Sequence, residues 1–183
     1  MADTGWLTAG TVENMTGIGT IVWASPSNAS TNNSVEASAN INHNEISNWL
    51  RWKNFTIGIP AGATIDGYEV KYERRGQSAV YAFADNQLKL VDHTGSVVGN
   101  DKAAGSTWSA SVETITAGGA ADKWGTSLTE SNVNDIDFGF ALSIKRTSAT
   151  VPAKVQGFVD YAQIKIYYTE SAGNVFMPKM IMY

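Results

Sequence analysis

The sequence predicts an all-β protein, a two-sheet antiparallel β-sandwich of jelly-roll type with an extended N-terminal arm and a C-terminal tail. Three observations carry this expectation. Apolar residues recur at every second position in several stretches, most cleanly at Phe138, Phe140, Leu142 and Ile144, the pattern of a strand with one buried face. No stretch of a dozen residues keeps the 3.6-residue period of an amphipathic helix. Uneven loops separate about eight strand candidates, which suits an open sandwich better than a closed barrel or a regular repeat. An immunoglobulin-like sandwich is the second choice.

Residues 1–20 are small, polar and dotted with glycine, with Trp6, Leu7, Met15 and Ile18 as isolated apolar anchors, so they predict an arm. The sandwich domain is placed at 21–170. Ile21, Val22 and Trp23 predict a short strand, the polar stretch 25–34 a loop, and 35–41 a weak strand. Trp49 opens a stronger strand whose phase slips at Lys53 and Asn54, as a β-bulge would make it do. The centre of the chain is a hairpin over 55–75. Phe55, Ile57 and Ile59 alternate with polar or small residues, and Pro60 with Gly62 breaks the ladder. Tyr68, Val70 and Tyr72 then face inward, opposite Glu69, Lys71 and Glu73. Ile65 is out of phase with that inner set, which places a bulge at Asp66-Gly67. Further strands are expected at 80–84, 87–92, 107–115, 137–146 and 155–169, with a joint at 117–120. Thr129 is the expected N-cap of a single helical turn.

Composition narrows the function. The chain has 183 residues, enough for one sizeable core. Its net charge of −4, spread along the sequence, disfavours nucleic acid as a partner. Cysteine is absent, which removes disulfides, thiolate metal sites and thiol nucleophiles. The first residues lack a basic and then apolar leader, and no apolar run approaches the ~18 residues of a membrane helix. The expectation is a protein made in a cytoplasm without a signal peptide and with no membrane partner.

Few residues suggest chemistry. His43 and His93 lie in separate turns, outside any metal or triad spacing. The densest oxygen cluster is Asp135 and Asp137 with Asn132 and Asn134; it is a weak calcium candidate, because no Asp-x-Asp-x-Asp-Gly run supports it. Trp49, Trp108, Trp124, Tyr81 and Tyr167 are candidates for a sugar platform, but core or subunit-contact positions are the simpler reading, since the period of two already places Trp108. No cofactor and no catalytic residue are expected. The tail, 171–183, is apolar and rich in methionine. Val175, Phe176, Met177, Met180, Ile181, Met182 and Tyr183 are its expected interface residues, inserted into a neighbouring subunit.

A family resemblance joins several of these features. Trp23, Pro26, Asn28 and Ala29; then Ile59-Pro60-Ala61-Gly62-Ala63-Thr64-Ile65-Asp66-Gly67; then Trp124-Gly125, Phe138-Gly139-Phe140, Val159-Asp160-Tyr161 and Tyr167-Tyr168-Thr169 resemble the packing and turn residues of small jelly-roll-like virion proteins of tailed bacteriophages. The resemblance covers about residues 20–170. It implies a non-enzymatic structural protein of the virion, a head decoration or tail-associated accessory protein that forms homo-oligomers and contacts the major capsid protein. Similar Ile-Pro-Ala-Gly-Ala segments occur in bacterial surface sandwiches that bind carbohydrate. The alternative it implies is therefore a carbohydrate-binding module of a tail fibre or adsorption structure, with glycan as its partner.

Overall fold

The computed structural model describes residues 1–149 and 154–171. Among these, ten strands carry the fold: β1 (Ala2–Asp3), β2 (Leu7–Met15), β3 (Ala37–Ile41), β4 (Trp49–Phe55), β5 (Thr64–Gly76), β6 (Phe83–Val91), β7 (Val97–Val98), β8 (Glu113–Gly118), β9 (Gly139–Arg146) and β10 (Val155–Thr169). A four-residue helix, α1 (Glu130–Val133), is closed by the Thr129–Asn132 capping box, so the expected N-cap is present. The interface residues expected in the tail, Val175 to Tyr183, lie outside the described residues.

β10 is the spine of the first sheet. On one side it pairs antiparallel with β5, and β5 pairs with β8. On the other side it meets β3 at 155–159, β2 at 163–164 and β1 at 167–168. The second sheet runs β2–β4–β9–β6–β7, all antiparallel. From β4 to β6, and again from β7 to β10, nearly every connection crosses from one sheet to the other, the jelly-roll pattern. The all-β sandwich read from the sequence is the fold of the protein.

The first twenty residues are not a free arm. Leu7 and Thr8 pair with β10, and from Ala9 onward the same strand pairs with β4 in the other sheet. The strand changes sheets between Thr8 and Ala9, and the next residue, Gly10, lies against Asn54. Asn54 has a φ of 60°, the local distortion behind the slip in alternation at Lys53-Asn54. Residues 16–20 then fold over the outer face of the second sheet, before Trp23 enters the main core and Ala24 bridges to Ser38 of β3. On that face Met15 and Ile18 pack on Trp49, Val91 and Ala141, and Thr20 N and Ile21 N both donate to Ile46 O. A Cβ on Gly19 would run into the Ile46 and Ser47 carbonyls, so this segment docks only with glycine there. The cover also explains why Ala141, which alternates with the inward-facing Phe140 and Leu142, is buried all the same.

The expected central hairpin is instead a crossover between sheets. β4 ends at Phe55, and the strand predicted through Ile57 and Ile59 is a loop. Ile59 is buried without a strand partner because Asn134 supplies one. The Asn134 amide accepts from Ile59 N at 3.1 Å and donates to Ile59 O at 2.8 Å. Ile57 is only half-buried. The bulge at Asp66 is present: Tyr167 opposes Gly67 and Tyr168 opposes Ile65, leaving Asp66 unmatched. The strands expected at 80–84 and 87–92 are one strand, β6, interrupted at Asn86. Ile21 forms an isolated bridge rather than a strand, and most of the strand expected over 107–115 is loop.

The core between the sheets contains Trp52, Phe55, Phe138, Phe140, Leu142, Ile144, Val159, Ile164 and Ile166. One buried polar cluster also joins the sheets. Asp85, at the β6 bulge, pairs with Arg74 Nη1 at 2.6 Å and accepts from Trp108 Nε1 at 2.8 Å, Ala104 N at 3.0 Å and the Tyr72 hydroxyl. Arg74 reaches on to Glu113 at 2.9 Å and Ser106 Oγ at 2.7 Å. Burial, reinforced by the Asp85 charge, pushes the Tyr72 hydroxyl far above its usual pKa, so it acts as a donor. This cluster ties the irregular segment 99–112 to both sheets.

Candidate functional site

Tryptophan usage separates surface from core. Five of the six tryptophans are buried, and four pin elements with their indole N–H. Trp23 donates to Asn48 O, Trp52 to Ala29 O, Trp108 to Asp85 and Trp124 to Tyr68 O. Trp49, Trp108 and Trp124 are therefore core residues and line no sugar platform. Trp6, expected as an anchor of the arm, is the one that is only partly buried.

Trp6 sits between β1 and β2, where Thr4 N donates to Ile166 O and Ile166 N donates to Thr4 Oγ1. From this edge its indole reaches across β10 to β5. The ring has Lys165 Nζ and Lys71 Nζ each 4.5 Å from its centroid, a double cation–π contact. Strand alternation builds the surface around it. Tyr161, Gln163, Lys165 and Tyr167 face outward between buried Ala162, Ile164 and Ile166. On β5, Glu69, Lys71 and Glu73 do the same between Val70, Tyr72 and Arg74. Cross-strand bonds fix these side chains: Tyr167 OH donates to Glu69 Oε2 at 2.7 Å, Lys165 lies 3.5 Å from the same carboxylate, and Gln163 Nε2 donates to Thr8 Oγ1 at 3.0 Å. Hydrogen bonding to Glu69 raises the Tyr167 pKa, so its hydroxyl stays protonated. The arrangement is one aromatic plate beside preset donors and acceptors. Of the sequence candidates it includes Tyr167; Tyr81 lies elsewhere, under Arg146.

A second feature lies on the inner side of β5. Ala63, Ile65 and Tyr68 floor a cleft of about 260 Å3, whose other wall is Lys123, Thr126, Ser127, Leu128, Thr129 and Glu130. The Tyr68 side chain is 1% exposed, and its hydroxyl has no partner in hydrogen-bonding geometry. The Thr126 side chain interacts with this hydroxyl and opposes the effect of burial on its pKa, but outside hydrogen-bond geometry, and it donates its own proton to Lys123 O at 2.8 Å. A buried hydroxyl left so costs about 1–3 kcal/mol. Burial pushes the Tyr68 pKa up to about 12.

The calcium candidates are otherwise engaged. Asp137 carries Lys53 Nζ at 2.9 Å and Arg51 Nη2 at 3.8 Å, so a cation already occupies its carboxylate. Asp135 Oδ1 accepts from Asp137 N within the turn. No group of three or more His, Cys, Asp or Glu side chains suited to a metal occurs among the described residues. The bond and charge of Lys53 hold Asp137 below the usual carboxylate range. A lowered pKa means its contribution to stability is present above the unfolded value of about 4 and fades as pH falls below it. Asp137→Asn should lower neutral melting slightly and flatten the acid limb of a stability-against-pH curve, with variant and parent converging in acid. His43 is exposed in its turn, and His93, also exposed, has Asn132 beside its Nε2 at 3.4 Å.

No family model and no curated protein matches the chain. Among solved structures it is similar to the CBM22-1 xylan-binding domain of Paenibacillus barcinonensis Xyn10C, at 14% identity over 91% of this chain and 88% of that one, with a TM-score of 0.42. It is also similar to the N-terminal cellulose-binding domain of Cellulomonas fimi β-1,4-glucanase C, at 8% identity over 92% and 94%, with a TM-score of 0.33. Identities and TM-scores this low transfer no ligand.

Proposed function

We propose that the chain is a non-catalytic carbohydrate-recognition module that takes glycan on the outer face of β10 and β5. The observation that carries the reading is Trp6, the one tryptophan the core does not consume, laid over Lys71 and Lys165. The C–H face of a pyranose ring is apolar and stacks on an indole, while its equatorial hydroxyls need donors and acceptors at the plate's edge. Glu69, Lys71, Gln163 and Lys165 supply both, already held by their neighbours. The virion resemblance supplies the setting, a tail fibre or adsorption structure that meets a cell-surface polysaccharide.

The test is a glycan array followed by calorimetry on the best hit. Trp6→Ala should weaken binding by at least about tenfold, or 1.4 kcal/mol, while the melting temperature stays near that of the parent. An array with no hits removes the reading. So does a Trp6→Ala protein that melts lower but binds as before, since Trp6 would then be only a cover for the lysine stems.

A further inference from the structure

We propose that the cleft beneath Tyr68 is a second binding site, one that takes a single neutral sugar ring, such as the terminal residue of a chain, with a ring hydroxyl on the Tyr68 hydroxyl. The ligand class rests on the glycan reading above; the site itself does not, because it lies on the other side of β5 from Trp6. Tyr68 and Glu69 are successive residues of one strand and point to opposite faces.

The Tyr68 hydroxyl is the main argument. It is buried and lacks a partner, whereas Tyr72, two residues on, has Asp85. Its proton is retained at neutral pH because burial raises its pKa; Thr126, its donor spent on Lys123 O, could only accept from it, and does so in no hydrogen-bond geometry. The position therefore calls for a group that both accepts and donates, as a hydroxyl does and a carboxylate does not. The rest of the lining agrees. Ile65, Ala63 and Leu128 provide an apolar wall, Thr64 and Ser127 bring hydroxyls to the rim, and Lys123 and Glu130 offset one another in charge. At about 260 Å3 the space lies just below the ~300–1,000 Å3 of drug-sized pockets, which suits one ring rather than an extended chain.

Saturation-transfer NMR on the full chain tests this, with the methyl glycosides of glucose, galactose, mannose, xylose and N-acetylglucosamine as probes. At least one probe should bind, and Tyr68→Phe, which removes only the hydroxyl, should weaken it about tenfold or more while melting is unchanged or raised. Ser127→Trp, which fills the cleft from its exposed rim, should do the same and keeps the test open if Tyr68→Phe fails to fold. Trp6→Ala should leave this signal intact even where it abolishes binding of longer oligosaccharides. Silence from all five probes overturns the proposal. Binding that survives both cleft variants, or that disappears with Trp6→Ala, overturns it as well.

Discussion

Asp85→Ala is expected to destabilise the protein by about 3–5 kcal/mol, the range for removing one partner of a buried ion pair. The cause is what stays behind. Arg74 keeps Glu113 and Ser106 but loses the carboxylate that compensates it in the interior, and the Tyr72 hydroxyl and Trp108 indole N–H lose their acceptor. Ala104 N is released too, so segment 99–112 should loosen before the sheets do. Urea unfolding measures the total, and hydrogen exchange at Ala104 and Trp108 measures the local part. Because natural stabilities are about 5–15 kcal/mol, this one carboxylate controls a large share. Replacing Asp85 and Arg74 together by leucine and methionine should cost less than Asp85→Ala alone. A single variant as stable as the parent would show that the pair contributes nothing beyond its volume.

Phe140→Ala should cost a similar amount, about 3–5 kcal/mol, through a different mechanism. Phe140 is fully buried, with ring centroids 5.1 Å from Trp52 and 5.9 Å from Phe55, both in stacked orientation. Truncation opens a cavity between rigid rings that cannot collapse into it, so the cost should lie near the top of the range. For a domain of this length that is a fall on the order of 10 °C in melting temperature. A fall of only a degree or two would mean that β9 repacks around the gap.

The sequence displayed the sandwich because burial leaves a period of two. Phe138, Phe140, Leu142 and Ile144 are buried as their spacing demands, and the Asp66 bulge shows as a phase error at Ile65. Pairing left no such trace. Nothing local in TGWLTAG marks a strand that serves two sheets, and a polar, glycine-dotted stretch reads as an arm until its partners are known. Ile59 misled in the opposite way, since its burial depends on Asn134 and not on a neighbouring strand. The candidate site was the least legible part. Trp49, Trp108 and Trp124 carry the same letter as Trp6, and only the fold separates three core rings from one surface ring. The Tyr68 cleft joins residues on β5 to a loop far along the chain, and no periodicity links them.

The pairing of β1 and β2 with β10 also sets the order in which the protein can be made. Ala2 lies opposite Tyr168 and Leu7 opposite Ile164, so β1 and the start of β2 wait for a strand that is made much later. At about 5–20 residues per second that wait is on the order of 10 s. During it, β2 can already pair with β4, but β5 lacks its β10 neighbour and the first sheet has no central strand. Until β10 emerges, the nascent chain exposes unpaired strand edges that a chaperone can hold. A fusion that delays release of the C-terminal strand should accumulate protease-sensitive chain even though every residue before β10 has already been synthesised.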